Sequence, residues 1–274
     1  MSELPAAQLA QPGEALATQV PAPKAAAQQT VYVVLPAYNE QEALAPLLES
    51  IRAALDGGPW PYKVIVVDDG SRDATALVAS KATFVMPIEL VEHRVNRGLA
   101  AALRTGLTAA LDRCGDDDVI VTMDADNTHP PRLITEMMAK IEHGFDVVIA
   151  SRFRPGAKVY GVPRSRQLYS VGARFLFQTM FPIRGVRDYT CGYRAYRAAA
   201  LRLAVQKYHA QLISERGFSC MADLLLKLQR LPLRMAEVPL ELHYERRGTG
   251  SKMQVARTIR ETMSLVVRRR FGRQ

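Results

Sequence analysis

Two aspartates with one residue between them, Asp124 and Asp126, follow directly on the apolar run Val119–Met123. Hard divalent cations such as Mg²⁺ and Mn²⁺ prefer oxygen ligands, which carboxylates supply. A cation held there could stabilise the negative charge that develops on a departing phosphate. One aspartate could bind it directly while the other binds it through water or contacts a ribose. The pair could also be no more than the polar residues of a turn, but its place after an apolar run favours a metal site.

Polar residues also follow two earlier apolar runs, and their types suit a nucleotide. Asp68, in the segment D-D-G-S, could accept hydrogen bonds from a base or a ribose, as an acidic residue does in other doubly wound folds. Tyr38, two residues after Pro36, could stack beside the base, and Glu40 could bind the ribose or the base. The glycine-rich motifs G-x-G-x-x-G and G-x-x-x-x-G-K-[ST] are both absent. Their absence disfavours an ordinary dinucleotide dehydrogenase and a P-loop enzyme.

The apolar runs that carry these clusters are short, rich in β-branched residues and separated by helical stretches. They are predicted as strands at 31–35, 64–67, 88–91, 119–123 and 147–150. One helix is predicted near 40–55, a second begins at Asp73 and a third ends at about Leu111. A fourth begins at Pro130 and Pro131, because proline is tolerated in the first turn of a helix. This alternation predicts βαβ units, and therefore an α/β fold with a mainly parallel central sheet flanked by helices. Because ligands bind beyond the carboxyl ends of such strands, we expect the polar clusters to share one edge of the sheet.

The regular alternation of short strands and helices ends after residue 152. Residues 163–181, about 197–207 and 217–229 are predicted as helices, 233–244 as β structure, and 258–270 as a basic amphipathic helix. We interpret residues 30–152 as the nucleotide-binding half and 153–252 as the acceptor half of one domain, followed by the C-terminal helix at 253–274. Residues 1–29, which are rich in Ala, Pro and Gln, are predicted to form a disordered tail.

The composition of the whole chain limits its partners and its setting. A formal net charge of +9 favours anionic partners such as nucleotides, phospholipid surfaces or nucleic acid. We do not expect nucleic acid, because no helix-turn-helix, zinc or aromatic RNA-binding signature is found. The sequence contains no apolar run of about 18 residues, so no transmembrane helix is predicted. The basic-then-apolar order of a signal peptide is also missing. The three scattered cysteines suggest no disulfide framework, so a cytosolic setting is expected.

The chain resembles family 2 glycosyltransferases of the GT-A fold in segments that occur in order: P-A-Y-N-E, V-D-D-G-S, N-R-G-L-A-A-A, D-A-D, S-R-F and D-Y-T-C-G-Y-R-A-Y-R. Within that family it is most similar to dolichol-phosphate mannosyltransferases and related bacterial polyprenyl-phosphate glycosyltransferases. The resemblance extends from about Thr30 to Lys252. It implies the inverting transfer of one sugar, mannose or glucose, from GDP-mannose or UDP-glucose to a polyprenyl or dolichyl phosphate. It also implies Mg²⁺ or Mn²⁺ as cofactor and a peripheral position at the cytoplasmic membrane face, and it leaves open a separate membrane subunit.

The resemblance implies roles on the donor side for the residues that match family motifs. Pro36, Tyr38 and Glu40 would frame the nucleotide and Asp68 would contact the base. Asp124 and Asp126 would hold the metal ion and the diphosphate.

It likewise implies roles for the residues that would complete the reaction. The acceptor phosphate would contact Arg152, Arg166 and Ser170. The catalytic set implied by the match is Asp126, Arg152, Asp188, Asp223 and Arg247. Lys252 closes the pattern R-x-x-x-S-K and would approach the donor diphosphate.

Two positions depart from the usual family pattern. Thr128 stands where a glutamine commonly helps to bind the metal, and it could offer a hydroxyl ligand or leave the place to water. Asp223 replaces a commoner glutamate and is one methylene shorter.

The nature of the acceptor decides whether a catalytic base is needed. A phosphate nucleophile is already ionised near neutral pH, so catalysis would consist of aligning two anions and neutralising their charge. A hydroxyl acceptor, in a soluble molecule or a polysaccharide, would need a base, and Asp188 and Asp223 are the candidates. A non-catalytic nucleotide-sugar-binding protein is a further alternative.

Three other features have competing interpretations. His129 is expected to be a turn residue rather than a metal ligand. Phe175, Phe177 and Phe181 fit a helix core better than a lipid-binding groove. The C-terminal helix is either an ordinary surface helix or a dock for anionic lipids, to which basic residues are attracted.

Overall fold

The computed structural model describes residues 29–215, 217, 219–247 and 255–271. The strands are β1 Val31–Ala37, β2 Tyr62–Asp68, β3 Ile88–Glu92, β4 Val119–Thr122, β5 Val147–Ser151, β6 Lys158–Tyr160, β7 Arg194–Arg197, β8 Met235–Pro239 and β9 Glu241–His243. The α-helices are α1 Gln41–Leu55, α2 Thr75–Ala82, α3 Leu99–Leu111, α4 Leu133–Glu142, α5 Arg164–Met180, α6 Ala198–Tyr208, α7 Ser219–Leu228 and α8 Val255–Phe271. Single 3₁₀ turns lie at His209–Gln211 and Tyr244–Arg246.

The centre of the molecule is a seven-stranded sheet in the order β3-β2-β1-β4-β7-β5-β8. All neighbouring pairs are parallel except those made by β7, which runs antiparallel to both β4 and β5. The prediction of a mainly parallel α/β sheet is confirmed, as are the five predicted strands. A separate pair, β6 and β9, forms a small parallel sheet.

Strand β7 is the main element that the sequence did not predict. Its four residues R-A-Y-R include two arginines, and charged residues are rarely fully buried. Arg194 is nevertheless completely buried and donates hydrogen bonds to the carbonyl oxygens of Tyr189 and Met221, at 2.8 Å each. Because β7 lies between β4 and β5, the half that the sequence predicts to bind the acceptor shares the sheet of the half that it predicts to bind the nucleotide.

Several helix boundaries differ from the predictions by a turn or less. Helix α4 begins at Leu133 rather than at the prolines, and the Pro130 carbonyl accepts a hydrogen bond from the Leu133 amide in the preceding turn. Helix α8 begins three residues earlier than predicted. The prediction that Phe175 lies in a helix core was wrong: Phe177 is fully buried and stacks on Tyr189, whereas Phe175 is 74% exposed. No helix in the described part of the chain combines the length and apolar character needed to cross a bilayer.

Helix α3 packs directly on the sheet at a glycine. A Cβ atom on Gly106 would lie 2.4 Å from Val34 Cγ1 and 3.1 Å from Val67 Cγ2, both on fully buried side chains of β1 and β2. Valine side chains are stiff about χ1, so they cannot move aside easily. Because glycine has no side chain, α3 can pack closely on β1 and β2 at this position.

We expect Gly106→Ala to destabilise the protein by about 1–3 kcal/mol, the usual cost of overpacking a core, despite alanine's better helix propensity. Thermal unfolding would show a lower Tm. Gly172→Ala is the matched control, because a Cβ on this exposed glycine of α5 meets no atom within 4 Å. That variant should gain up to about 1 kcal/mol from helix propensity. Equal Tm changes in the two variants would contradict the packing argument.

Candidate active site

A cavity of about 320 Å³ lies beyond the carboxyl ends of the central strands. The loops after β1, β4 and β5 contribute to it, together with residues of α5, α8 and β9. Of the predicted site residues, those lining it are Pro36, Tyr38, Glu40, Asp124, Asp126, Arg152, Arg166, Ser170 and Arg247. The expected gathering of polar clusters at one sheet edge is therefore present in the structure.

Asp126 is held in place by residues on both sides of it. The amide and hydroxyl of Thr128 donate hydrogen bonds to Asp126 Oδ1 at 3.2 and 2.7 Å. Arg247 Nη2 lies 3.4 Å from Asp126 Oδ2. Thr128, the residue that departs from the family pattern, thus orients Asp126 by donating a hydrogen bond from its hydroxyl.

Asp124 differs from Asp126 in that no hydrogen bond reaches its carboxylate from any residue the structure describes. Burial raises the pKa of Asp124, and the charge of Asp126 raises it further, while His129, Arg247 and Arg152 act in the opposite direction. The Asp124 amide faces His129 Nδ1 at 3.4 Å, and the His129 ring stacks on Tyr193. His129 therefore has neighbours that explain its position without a metal ion.

The two aspartates fit a divalent cation that is only partly held by protein. Within the described residues, no three side chains of His, Cys, Asp or Glu converge in a metal-binding group. Mg²⁺ and related ions commonly take one or two carboxylates and complete their coordination with substrate phosphates and water. Asp124, a half-buried carboxylate on the cavity wall that receives no hydrogen bond from the described residues, suits such an ion because the cation would compensate its charge.

Of the two aspartates in the D-D-G-S segment, Asp69 lines the cavity and Asp68 does not. The contact of Asp68 with the base stays a prediction. Asp68 accepts hydrogen bonds from the amide and hydroxyl of Ser71. The Asp69 carboxylate accepts the amides of Arg97 and Gly98 at 2.9 and 2.7 Å. It thereby ties the end of β2 to the start of α3. The sequence could not separate the two aspartates, because β2 is buried on both faces and its pattern does not show which face each residue joins.

Asn39, whose backbone has a left-handed conformation, joins the loop after β1 to the loop after β2. Asn39 has φ of 50°, a conformation that asparagine tolerates better than most residues. Its amide donates to the Ser71 hydroxyl at 2.9 Å, and its side-chain oxygen accepts the Arg72 amide at 2.8 Å. The loop that carries Tyr38 and Glu40 is therefore fixed against the loop after β2.

Arg152 dominates the other side of the cavity. Its guanidinium binds the fully buried Asp188 at 2.8 Å through Nε and 2.7 Å through Nη2. It also donates to Ser170 on α5 and to Thr190. Burial acts to raise the pKa of Asp188, but Arg152 and several backbone amides more than compensate, so the pKa lies below its ordinary value. A carboxylate with so many donors is a poor proton acceptor, and Asp188 does not line the cavity.

Tyr244 brings two predicted arginines together, although the sequence gave no sign of it. Arg166 Nη1 donates to the Tyr244 hydroxyl at 3.0 Å. The guanidinium carbons of Arg166 and Arg247 lie 5.6 and 5.7 Å from the centre of the Tyr244 ring, within the range of cation–π attraction. The ring therefore contacts Arg166, which was predicted to bind the acceptor phosphate, and Arg247, which was predicted to belong to the catalytic set.

Asp223 does not line the cavity and forms ion pairs with two basic side chains. Its carboxylate is 2.6 Å from Lys227 Nζ and 2.6 Å from Arg269 Nη2. These contacts attach α8 to α7, a structural role that the sequence did not indicate. The predicted Lys252, and Ser251 beside it, lie outside the described residues.

The C-terminal helix forms part of the cavity wall, which the sequence also did not indicate. Thr258 and Thr262 of α8 line the cavity. The Thr262 hydroxyl lies 2.9 Å from that of Tyr169 on α5. Helices α5 and α8 therefore enclose the cavity together.

Comparison with solved structures supports the architecture. Glucosyl-3-phosphoglycerate synthase from Mycobacterium tuberculosis, in complex with Mn²⁺, UDP-glucose and phosphoglyceric acid, matches with a TM-score of 0.60 and 22% identity, over 90% of this chain and 81% of that one. Mannosyl-3-phosphoglycerate synthase from Rubrobacter xylanophilus matches with a TM-score of 0.62 and 22% identity, over 90% of this chain and 76% of that one. The chain has the GT-A glycosyltransferase fold.

Curated relatives are more similar in sequence. Undecaprenyl-phosphate mannosyltransferase from Micrococcus luteus is 34% identical, over 81% of this chain and 87% of its own length. Polyprenol monophosphomannose synthase from Mycolicibacterium smegmatis is 30% identical, over 86% and 84%. Dolichol-phosphate mannosyltransferase from Pyrococcus furiosus is 32% identical over 80% of this chain, which spans only 58% of that relative.

The model of the family described as glycosyl transferase family 2 matches residues 32–203, well over half of the chain. The acid pair, the arginines and the fold around the cavity agree with that match. The chain belongs to glycosyl transferase family 2 and is a glycosyltransferase.

Proposed function

We propose that this glycosyltransferase moves one hexose from a nucleoside-diphosphate sugar to a polyprenyl or dolichyl phosphate, with inversion, at the cytoplasmic membrane face. The observation that carries the proposal is that one cavity brings acidic and basic side chains together. Asp124 and Asp126 line it together with Arg152, Arg166 and Ser170. Such a set suits a cation-bound diphosphate donor and an anionic acceptor.

The arginine and hydroxyl donors that line the cavity suit a nucleophile that is already an anion. The described residues of α5 and β9 that line the cavity include no carboxylate, whereas arginine and hydroxyl donors are present. Arginine binds phosphate bidentately through its planar fork. A phosphate oxygen has no proton to lose, so the reaction needs alignment and charge neutralisation rather than a base.

A hydroxyl acceptor fits these residues less well. Asp188 is bound by Arg152, and Asp223 is bound by Lys227 and Arg269, so neither predicted base faces the cavity. Asp188 then acts through Arg152, as the residue that positions it. Asp223 acts by holding α8 on the cavity wall.

Asp124 and Asp126 would hold Mg²⁺ or Mn²⁺, which would stabilise the charge on the leaving diphosphate. Arg247, beside Asp126, is placed to add a second positive charge there. Pro36, Tyr38 and Glu40 would frame the nucleotide. The relatives' names favour mannose as the sugar, so GDP-mannose is the first candidate donor and UDP-glucose is the second. A separate membrane subunit is compatible with this proposal.

A panel of labelled nucleotide sugars tests the proposal directly. Each donor is incubated with undecaprenyl or dolichyl phosphate in detergent, with and without Mn²⁺. We expect a lipid-extractable sugar product that needs the cation, and removal of the metal with EDTA should abolish it until Mn²⁺ is restored. A product formed only on added soluble or polysaccharide hydroxyl acceptors would refute the lipid phosphate acceptor.

We expect Asp126→Ala to abolish transfer, with a loss of at least about a hundredfold in kcat, because the cation that would bind the diphosphate would lose a charged oxygen ligand. The readout is the initial rate of transfer with saturating donor. Asp117→Asn, an exposed acid remote from the cavity, is the control and should keep the rate. Near-normal turnover by the Asp126 variant would refute the metal site.

We expect Asp188→Asn to raise KM for the acceptor phosphate more than KM for the donor, because Arg152 loses its fixed orientation. The variant should also lose about 3 kcal/mol of stability, the lower end of the range for breaking a buried ion pair, since Arg152 keeps some contact with solvent. A depressed carboxyl pKa contributes stability that is complete above the unfolded value of about 3.9 and is lost as the pH falls through the folded value. The stability difference between variant and parent should therefore shrink below about pH 4.

Asp146→Asn is the control for that experiment. Asp146 forms an ion pair with Arg197 at 3.8 Å and does not line the cavity. The Asp146→Asn variant should lower the Tm without changing the ratio of the KM for the acceptor to the KM for the donor. An unchanged ratio in Asp188→Asn as well would show that Asp188 has only a structural role.

A further inference from the structure

His93 follows β3 directly and contacts Asp69, the aspartate of the D-D-G-S segment that lines the cavity. Its ring nitrogen Nδ1 lies 2.7 Å from Asp69 Oδ1, and the two side chains are only 6% and 4% exposed. The other ring nitrogen, Nε2, lies 3.0 Å from the Thr105 hydroxyl on α3. His93 itself does not line the cavity. It therefore links Asp69 to α3 from outside the cavity.

The neighbours of the His93 ring determine which of its nitrogens carries a proton. Two backbone N–H groups, those of Arg97 and Gly98, already donate to the Asp69 carboxylate. An ionised carboxylate only accepts hydrogen bonds, so Nδ1 is the nitrogen that carries the proton. In the neutral ring Nε2 then accepts the hydrogen bond of the Thr105 hydroxyl. Because both nitrogens have a partner, the ring is fixed in one orientation.

The Asp69 carboxylate retains an acceptor site for a ligand. An ionised carboxylate offers about four lone-pair sites. His93 and the Arg97 amide donate to Oδ1, and the Gly98 amide donates to Oδ2. Among the residues that the structure describes, no further donor reaches this carboxylate. Since Asp69 lines the cavity, the remaining site is available to an N–H or O–H group of a ligand.

The cavity wall beside Asp69 is apolar. Leu99 and Ala102 of α3 and Ala37 at the end of β1 line the cavity together with it. A polar anchor among apolar side chains is the usual composition of a pocket that orients an organic ligand. The base of a nucleotide suits this wall, because guanine and uracil are flat rings that carry N–H groups.

The backbone after β3 supports the turn that follows Asp69. Gly70 has φ of 68°, and a Cβ atom on it would lie 2.5 Å from the carbonyl carbon of Val95 and 2.6 Å from the amide nitrogen of Asn96. The two loops are thus in direct contact. The orientation of Asp69 therefore depends on the segment that begins with His93.

We propose that His93 is a positioning residue for the donor: it holds Asp69 in the orientation in which the remaining acceptor site receives an N–H group of the nucleotide base. The inference rests on the proposed function, because it needs a nucleoside-diphosphate donor in this cavity. His93 acts through Asp69 and touches no reacting atom. Its loss should therefore weaken binding of the base and leave the transfer step unchanged.

Titration calorimetry with GDP and UDP, without acceptor, tests this role. We expect His93→Leu to weaken binding of the nucleotide that the parent chain prefers by about tenfold, the effect of about one hydrogen bond to a charged group. His93→Asn should stay within about threefold of the parent, because its amide N–H group lies close to the position of Nδ1 and can donate to Asp69. Thr105→Val, which removes only the partner of Nε2, should have an intermediate effect.

Inorganic pyrophosphate separates an effect on the base from an effect on the diphosphate. Its affinity in the presence of Mn²⁺ should be equal in the parent and in His93→Leu, because pyrophosphate carries no base for Asp69 to bind. In transfer assays with His93→Leu, the KM for the donor should rise while kcat and the KM for the acceptor stay near the parent values. Asp146→Asn is the stability control, since it should lower the Tm without changing nucleotide affinity.

The outcomes distinguish this inference from the proposed function. Equal loss of nucleotide affinity in His93→Leu and His93→Asn, or an equal loss of pyrophosphate affinity, would overturn the role of His93. A parent chain that binds a nucleotide with unchanged affinity in His93→Leu would also overturn it and leave the proposed function intact. Binding that depends on His93, in a chain that transfers no sugar to polyprenyl phosphate, would exclude the acceptor alone. A parent chain that binds neither nucleotide would exclude the donor and this inference with it.

Discussion

The ion pair between Arg152 and Asp188 holds together the part of the cavity for which we propose acceptor binding. Arg152 follows β5, Asp188 precedes β7, and the same guanidinium reaches Ser170 on α5. Burying a carboxylate is costly unless it is paired and hydrogen-bonded, so the fold around Asp188 depends on the arginine being there. A guanidinium bound bidentately also has little freedom to turn. One interaction thus joins three elements and fixes a positive charge at the cavity wall.

Opposite charges that meet in one small cavity turn this arrangement into a candidate catalyst. Asp126 is oriented by Thr128 and Arg247, while Arg166 and Arg247 contact the same tyrosine ring. The donors are therefore fixed before any ligand arrives and need little rearrangement as charge develops. Preorganised dipoles and charges of this kind are the main source of stabilisation in reactions that create anions.

The C-terminal helix connects the surface of the molecule to the cavity. Arg269 binds Asp223 on α7, Thr258 and Thr262 line the cavity, and exposed apolar side chains lie on the other side of α8. One helix therefore joins the outer surface of the molecule to the wall of the cavity. The buried Lys227, which also binds carbonyl oxygens before α7, strengthens the attachment.

The sequence by itself determined the α/β fold, the five parallel strands and the clustering of the polar residues at one edge, because strand period and strand ends are local properties of the chain. Only the tertiary structure showed that Asp69 rather than Asp68 lines the cavity, that Asp188 supports Arg152, and that Asp223 anchors α8. It also showed that Phe175 is exposed and that Tyr244 contacts two arginines. Each of these depends on which distant element packs against a side chain, and residues more than 70 positions apart, such as Arg166 and Tyr244, carry no local signal of their contact.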